Sequence, residues 1–509
     1  MDFTWYILGG LTGVAAIFLW KYSERYRLNH LAWGGLITGI FLVLFAIAWS
    51  VGAMLEGVPR AASMGLLLFG LSGIVLLTFT FKFIDTKLEK IALEEVTLPL
   101  AVEITSPEKT SAKETPAPPA QLYIAKGVRV LAYVSLAVAF VVGMASDNKD
   151  YEVMVMAKFK DQKLTKVNDN PVVFQLGEKS QGAGNYVLIQ EGQGYGGPFV
   201  LGLRIREDGK IHEVIPLDHK ETPAFVKIIE DANYRSQYIG RSVADDFIVG
   251  VDIDAVSGAT VTTMAATEAV RKGAHLAALE KFKLKPTWKQ ASWKFGLDEV
   301  LILVLFALAF IPAVYQRKPW KYFYMAAVIG IVGFYLNAAI SVGSLSGLLM
   351  GYIPSISDHL IWWVLVVGTL LGIILLGQNV YCFRICPFYG VQFLIAKLGG
   401  NRFNPPPAIL KRSKTIANFL LWLALMISFL SSHPALGAYE PFAMMFSLNG
   451  VGIQWFLLPL ALIGSFFTST FWCRFFCPCG HALTQLRQYR KTILRFLKDK
   501  TQPAIKVGE

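Results

Sequence analysis

Nine apolar runs, each about as long as a bilayer is thick, constrain this chain more than any other feature. A helix needs about 20 consecutive apolar residues to cross a ~30 Å hydrocarbon core. Such runs occupy roughly residues 4–20, 31–52, 64–83, 127–145, 296–315, 322–345, 358–378, 415–432 and 452–471. Any one of them would pass as a buried core helix, but nine in 509 residues would not. Composition agrees: 54% of residues are hydrophobic and 17% charged, against about 45–50% and about 25% in soluble globular chains. Disorder over most of the length is excluded. A disulfide scaffold is excluded too, because five cysteines are too few for this length. The expected fold is a polytopic α-helical membrane protein of about nine spans with an inserted extracytoplasmic α+β domain.

The net charge of +12 points to either nucleic acid or a membrane. Where the cations sit decides between them. The first run follows Asp2 rather than a basic start, and no small-residue cleavage pattern ends it, so it does not read as a cleavable signal. Lys21, Arg25 and Arg27 come after it. The positive-inside rule then places the N-terminus outside and 21–30 in the cytoplasm. Alternation makes 84–126, 316–321, 379–414 and 472–509 inner segments, and each is rich in Lys or Arg. The short outer loops 346–357 and 433–451 hold neither. The basic excess is therefore a topology signal of a multi-pass protein of the cytoplasmic (inner) membrane, and nucleic acid is not an expected partner.

Polar stretches divide the chain. Residues 1–83 form a three-helix membrane unit, and 84–126 a cytoplasmic linker that includes SPEKTSAKETPAPPA. Residues 127–145 are one transmembrane helix, and 146–293 a polar insert placed outside. Residues 294–509 are a five-helix membrane domain. Within the insert, 186–189 and 199–205 read as strands, Asp208-Gly209 as a hairpin turn, and 211–215 as the returning strand. Residues 264–283 read as a helix with an Ala/Leu face.

Immediately before that helix stands Asp254-Ala255-Val256-Ser257-Gly258-Ala259-Thr260-Val261-Thr262-Thr263. Glycine allows close backbone approach, and a helix N-terminus favours a phosphate. The Ser and Thr hydroxyls add donors. An ordinary capped turn uses the same residue types, so these residues alone leave both possibilities open. Their company is more specific: Gly192-Gln193-Gly194-Tyr195-Gly196-Gly197, then Asp208-Gly209-Lys210-Ile211, then His219-Lys220-Glu221-Thr222-Pro223. In this order the segment resembles the FMN-binding domain shared by Rnf and sodium-pumping NADH:quinone reductase G/C subunits and NosR-like proteins, over about residues 185–280. The resemblance implies FMN joined through its phosphate to Thr260 by a flavin transferase, with Thr262 as the neighbouring acceptor. It also implies that Glu221 and Thr222 lie near the isoalloxazine and that Tyr195 and Gly196 face it. The family's Thr-Pro-Gly is Thr222-Pro223-Ala224 here, which bears on the geometry of that loop.

Four of the five cysteines fall in a duplicated frame. Cys382-Phe383-Arg384-Ile385-Cys386-Pro387 follows one span, and Cys473-Arg474-Phe475-Phe476-Cys477-Pro478 follows another 91 residues later. Cysteines at i and i+4 share a helix face. Proline limits the helix, and Arg384 and Arg474 favour thiolates. Four thiolates suit zinc or an iron–sulfur cluster. The redox setting favours the cluster, because a ~30 Å core is too wide for one electron jump. Cys479 is either a spare ligand or merely packed. The pair of motifs below an external flavin domain resembles NosR-type and dehalogenase-associated C-type membrane proteins, over about residues 122–509. The chain lacks the Cys-x-x-Cys-x-x-Cys ferredoxin runs of the NosR type. Trp49 to Arg60 and Met64 to Gly70 resemble the three-helix B-type anchors of reductive dehalogenases. Glu56 and Arg60 would then contact a partner enzyme or a quinone, or stand as solvated interface charges.

His359 and His433, near outer span ends, fit haem ligands or interfacial polar groups. No Cys-x-x-Cys-His, Walker loop or dinucleotide fingerprint occurs, so neither NADH nor ATP is an expected ligand. The function expected is electron transfer from the quinone pool or a cytoplasmic donor, through the cysteine centre, to external FMN. That flavin would feed a partner reductase, with a reductive dehalogenase expected. The alternatives are an anchoring, maturation or redox-sensing role for an exported reductase, and an ion pump. No charged pair lies deep in a span to support the pump.

Overall fold

A computed structural model of the chain describes residues 12, 13, 15, 17, 19, 30–81, 119–147, 150–160, 164–169, 172–176, 186–194, 196–287, 295–399 and 405–501. They divide into two compact units: residues 1–134, 395–404 and 455–469, and residues 135–394, 405–454 and 470–509. The run expected at 4–20 and the linker residues 84–118 lie almost wholly outside the described residues.

In the first unit, α1 (His30–Leu55) and α2 (Pro59–Phe81) form a hairpin. Pro59 opens α2 where a missing N–H costs nothing. Trp49 Nε1 donates to Ala61 O (3.1 Å) and Ser50 Oγ to Ala62 O (2.8 Å), closing the turn. A Cβ on Gly73 would meet Gly39 O at 2.8 Å, so the helices touch backbone to backbone through small residues. Glu56 and Arg60 are exposed at this turn.

The polar insert belongs to the second unit. After α3 (Pro119–Ser146), a short α4 (Tyr151–Lys158) is capped by Asp150, which accepts from Glu152 N and Val153 N. Five antiparallel strands follow in the order β1-β2-β3-β4-β5: Leu164–Asp169, Val172–Leu176, Tyr186–Gln193, Pro198–Ile205 and Ile211–His219. α5 (Pro223–Asp231) and α6 (Thr260–Ala277, continued by a wider turn Ala278–Phe282) complete the domain. One sheet face packs Leu188, Phe199 and Leu203 against Ala265, Ala266, Ala269 and Val270 of α6. The other packs Phe174, Val187 and Ile215 against Val155 and Phe159. β4 is therefore buried on both faces, with Arg204 of PFVLGLRI lying over the Phe159 ring. The strands and helix expected from sequence are present. β1, β2, α4 and α5 were not anticipated.

Among the described residues four helices are long and apolar enough to cross a membrane: Leu31–Leu55, Pro59–Phe81, Gly127–Ser146 and Pro407–Leu430. The runs at 358–378 and 452–471 are shorter apolar helices, α10 (Leu360–Leu376) and α14 (Gln454–Phe467). Two expected spans are broken rather than continuous. Helix α7 (Leu297–Leu308) stops ahead of Pro312, which disfavours helical backbone before it. Helix α8 (Lys318–Val328, continued through Ile329–Tyr335) ends at Asn337, which is left-handed (φ 46°), and α9 (Val342–Leu349) restarts beyond it. A matching break follows α12 (Pro407–Leu430). Ser432 is left-handed (φ 48°), Pro434–Gly437 makes a tight turn, and α13 is only Phe442–Ser447. Broken backbone at membrane depth is tolerated only where protein or a cavity lines it.

Candidate functional site

Thr260 is the first residue of α6 and is exposed. Gly258 before it has φ 80°, which a side chain would strain. Ser257 is exposed, Ala259 is buried, and Asp254 stands on the surface with its N–H donated to Gln237 Oε1 at 2.7 Å. Thr262 is buried, and its Oγ1 donates to Glu221 Oε2 at 2.9 Å. The other carboxylate oxygen, Oε1, accepts from Gly196 N at 2.6 Å. Burial raises the Glu221 carboxyl above its ordinary range, against these hydrogen bonds. A Cβ on Gly194 would collide with Glu221, and one on Gly196 with the Lys220 carbonyl. The glycine spacing thus lets the β3–β4 turn close over the Glu221 loop. Thr222 leads into α5, and Ala224 is buried in that helix, where no glycine is needed. Tyr195 lies outside the described residues.

The insert is bolted to the helices beneath it. Lys220, 2% exposed, is 2.6 Å from Asp147 at the foot of α3 and 3.7 Å from Asp218. Tyr352 Oη donates to Asp147 Oδ2 at 3.2 Å. His359 Nε2 pairs with Gln193 O at 3.1 Å, and the His433 ring meets His219 edge to face at 5.5 Å. Both histidines therefore pack against the insert.

The cysteine motifs do not lie on single helix faces. Proline drives the preceding residue out of the helical region. The turn Tyr381–Ile385 therefore ends with Cys386 extended (ψ 115°), and Pro387 opens α11 (Pro387–Gly399). The turn Phe471–Phe475 likewise ends before Cys477, and Pro478 opens α15 (Pro478–Thr501). Gln392 ties the copies together: its Oε1 accepts from Trp472 N (2.9 Å) and its Nε2 donates to Cys473 Sγ (3.1 Å). Cys382, Cys386, Cys473, Cys477 and Cys479 all line one cavity of about 270 Å³, with Arg474. Cys479 thus joins the other four. Arg384 instead donates to Ala309 O.

Burial pushes the thiols up, Cys382 to about 12 and Cys386 to about 11, so a metal there would have to displace protons. Among the described residues no three Cys, His, Asp or Glu side chains are already gathered to hold a single ion. Five soft sulfur donors around this volume fit a multi-iron cluster better than one tetrahedral zinc. His481 is directed elsewhere, its Nε2 2.6 Å from Asn418 Oδ1.

A second, smaller cavity of about 80 Å³ is walled on one side by Gly196, Thr222 and Phe225 of the insert. Its other walls are the two helix breaks, including Asn337, Ile340, Ala438, Glu440 and Phe442, with Trp362 and Gln454. Ile340 and Phe442 line both cavities. Segment 433–451, expected in an outer loop, therefore folds back to the cysteines, with Tyr439 Oη donating to Phe476 O at 2.5 Å. Charge counting carries no record of this contact between a segment expected outside and a cysteine motif expected on the inner side. Glu440 was missed by sequence reasoning. Its one signal was that it is the only charged residue of 433–451.

Two family models match the chain. Residues 3–88 match the chloroethene reductive dehalogenase membrane anchor protein family (VcrB), and residues 194–275 the FMN-binding domain family. The chain resembles NosR-type FMN-binding membrane proteins. Protein NirI of Paracoccus denitrificans is 30% identical over 204 residues, 36% of this chain and 29% of NirI. The regulatory protein NosR of Pseudomonas aeruginosa is 27% identical over 232 residues, 41% of this chain and 32% of NosR. The G component of the proton-translocating ferredoxin:NAD(+) oxidoreductase complex of Clostridium ljungdahlii is 32% identical over 93 residues, 17% of this chain and 50% of that component. The chain thus spans about a third of the NirI and NosR lengths it matches. No solved structure matches it.

Proposed function

We propose that this membrane protein moves electrons between a quinol or cytoplasmic donor and FMN carried on Thr260 on the outer face, through a centre held by Cys382, Cys386, Cys473 and Cys477, and so feeds a partner reductase. The observation that carries this is the pair of neighbouring cavities: Ile340 and Phe442 form a wall common to the side lined by Gly196 and Thr222 and the side lined by the cysteines. A wall of two side chains is a short gap for an electron. Bound FMN would supply one-electron steps that link two-electron quinol chemistry to one-electron carriers.

The residues present fit both groups. Thr260 is exposed for modification by a flavin transferase, whereas the Thr262 hydroxyl is buried and already donated to Glu221. The start of α6 and the Gly258 turn suit a phosphate. The anchor-like segment 3–88 favours a reductive dehalogenase as the reductase served. A maturation or regulatory role is the second reading, favoured by the relatives described as regulatory proteins.

Thr260→Val in the full chain separates the two. Covalent flavin, read as fluorescence on a denaturing gel, should vanish together with electron delivery to the partner. Lost flavin with undiminished delivery would sink the conduit role. Iron and acid-labile sulfide should be present in the purified protein, and stoichiometric zinc would refute the cluster.

A further inference from the structure

The small cavity carries more than position. Three buried polar atoms on its wall find no hydrogen-bond partner among the described residues: Asn337 Nδ2, Trp362 Nε1 and Glu440 Oε2. Trp362 and Glu440 are each only 3% exposed. Leaving such groups unsatisfied costs their full desolvation, so three around one small space point to a ligand edge. They come from three separate places in the chain. Asn337 sits at the first helix break, held left-handed (φ 46°). Trp362 lies in α10. Glu440 lies in the second break, where Val342 N–H donates to its Oε1 at 2.8 Å and, with the backbone N–H of Cys479 alongside, fixes the carboxylate.

The set is two donors and one acceptor. A cavity of about 80 Å³ admits one edge of a planar ring system and not a whole cofactor. The pyrimidine edge of an isoalloxazine offers two carbonyl oxygens and one N–H, the complementary count. A quinone head offers carbonyls but no N–H for the carboxylate oxygen. The opposite wall is Gly196, Thr222 and Phe225 of the flavin domain. The Thr260 turn also reaches this region: a Cβ on Gly258 would lie 3.5 Å from Ser447, the last residue of α13, whose first residue, Phe442, lines the cavity.

We infer that Asn337, Trp362 and Glu440 of the membrane domain bind the pyrimidine edge of the flavin, so that the ring is seated by the helix breaks as well as by its own domain. The inference rests on the proposed attachment of FMN at Thr260. Asn337 and Trp362 donate to the two carbonyls, and Glu440 Oε2 accepts from the ring N–H. The helix breaks then have a physical use, because they bring polar groups to a depth where an unbroken helix would present only side chains.

The test uses the full chain in detergent, carrying its flavin, with the variants Glu440→Gln, Trp362→Phe and Asn337→Asp. Covalent flavin per chain should match the parent in all three. The visible absorption bands should shift, the flavin midpoint potential should change, and flavin fluorescence should become less polarised as the ring loosens. A lost hydrogen bond to a charged partner weakens holding of the edge by about tenfold or more, so Glu440→Gln should give the largest change. Flavin present at parental content with unchanged bands, potential and polarisation in all three variants would overturn the inference. Unchanged flavin with a raised KM for a soluble quinol would also overturn it, assigning the cavity to a quinone. A parent chain without covalent flavin would refute the attachment at Thr260 instead, a distinct outcome.

Discussion

Replacing Lys220 with Met tests how the flavin domain is fastened. The ammonium lies 2.6 Å from Asp147 Oδ1 and 3.7 Å from Asp218 Oδ2, and its side chain is 3% exposed. Removing it leaves two carboxylates close together without a cation. Breaking a buried pair by removing one partner costs about 3–5 kcal/mol. The side chains of Asp147 and Asp218 are 20% and 11% exposed, which admits some water. Each also keeps a tyrosine donor, Tyr352 and Tyr151, at 3.2 Å. The lower end applies, about 3 kcal/mol, which corresponds to about 100-fold in an opening equilibrium.

Hydrogen exchange over 198–219, the strands leading to Lys220, measures that opening. The variant should exchange there about 100-fold faster. Lys227→Met is the control. Its pair with Asp231 has side chains 61% and 65% exposed, so it is worth at most about 0.5 kcal/mol and should change exchange about twofold or less. Adding Asp147→Leu to Lys220→Met should recover part of the loss, because an apolar replacement of both partners is tolerated better than a stranded charge. Equal exchange in Lys220→Met and Lys227→Met would refute the clamp.

Three further outcomes follow from the same geometry. Thr262→Val should keep the covalent flavin that Thr260→Val loses, yet destabilise the domain by about 1–2 kcal/mol through the lost bond to Glu221; denaturant melts and gel fluorescence read the two effects apart. Gly192→Ala should destabilise by about 1–3 kcal/mol or more, because the new Cβ would collide with the Ala265 carbonyl of α6; a lowered melting temperature with normal secondary structure checks it. Cys386→Ser and Cys477→Ser should each remove most iron and labile sulfide while leaving covalent flavin intact, and parental metal content in both would exclude them as ligands.

Much of the insert was legible in the sequence because local signals and burial agree there. β4 reads as a continuous apolar run and is buried on both faces. The Ser-Gly-Ala-Thr turn opens the helix, which starts at Thr260. β1 and β2 escaped because their short segments sit beside polar stretches and carry little alternation. The broken spans escaped because hydrophobicity reports the solvent and not the continuity of the helix. The breaks turn on single residues, Pro312, Asn337, Ser432 and Pro434, inside apolar surroundings.

The sequence by itself determined that much of the chain is apolar enough for lipid, that a Ser-Gly-Ala-Thr turn opens a helix, and that four cysteines come in two matched pairs. These rest on residue type and short spacing, which folding does not change. Only the tertiary structure decided that all five cysteines share one cavity, and that this cavity shares Ile340 and Phe442 with the one walled by the polar insert. That meeting depends on contacts between distant segments: Ile340 N–H donates to Tyr381 Oη, and Val342 N–H donates to Glu440 across 98 positions of chain. Local periodicity carries no record of such pairings, since they exist only where backbone groups freed by a helix break find their partners in another part of the fold.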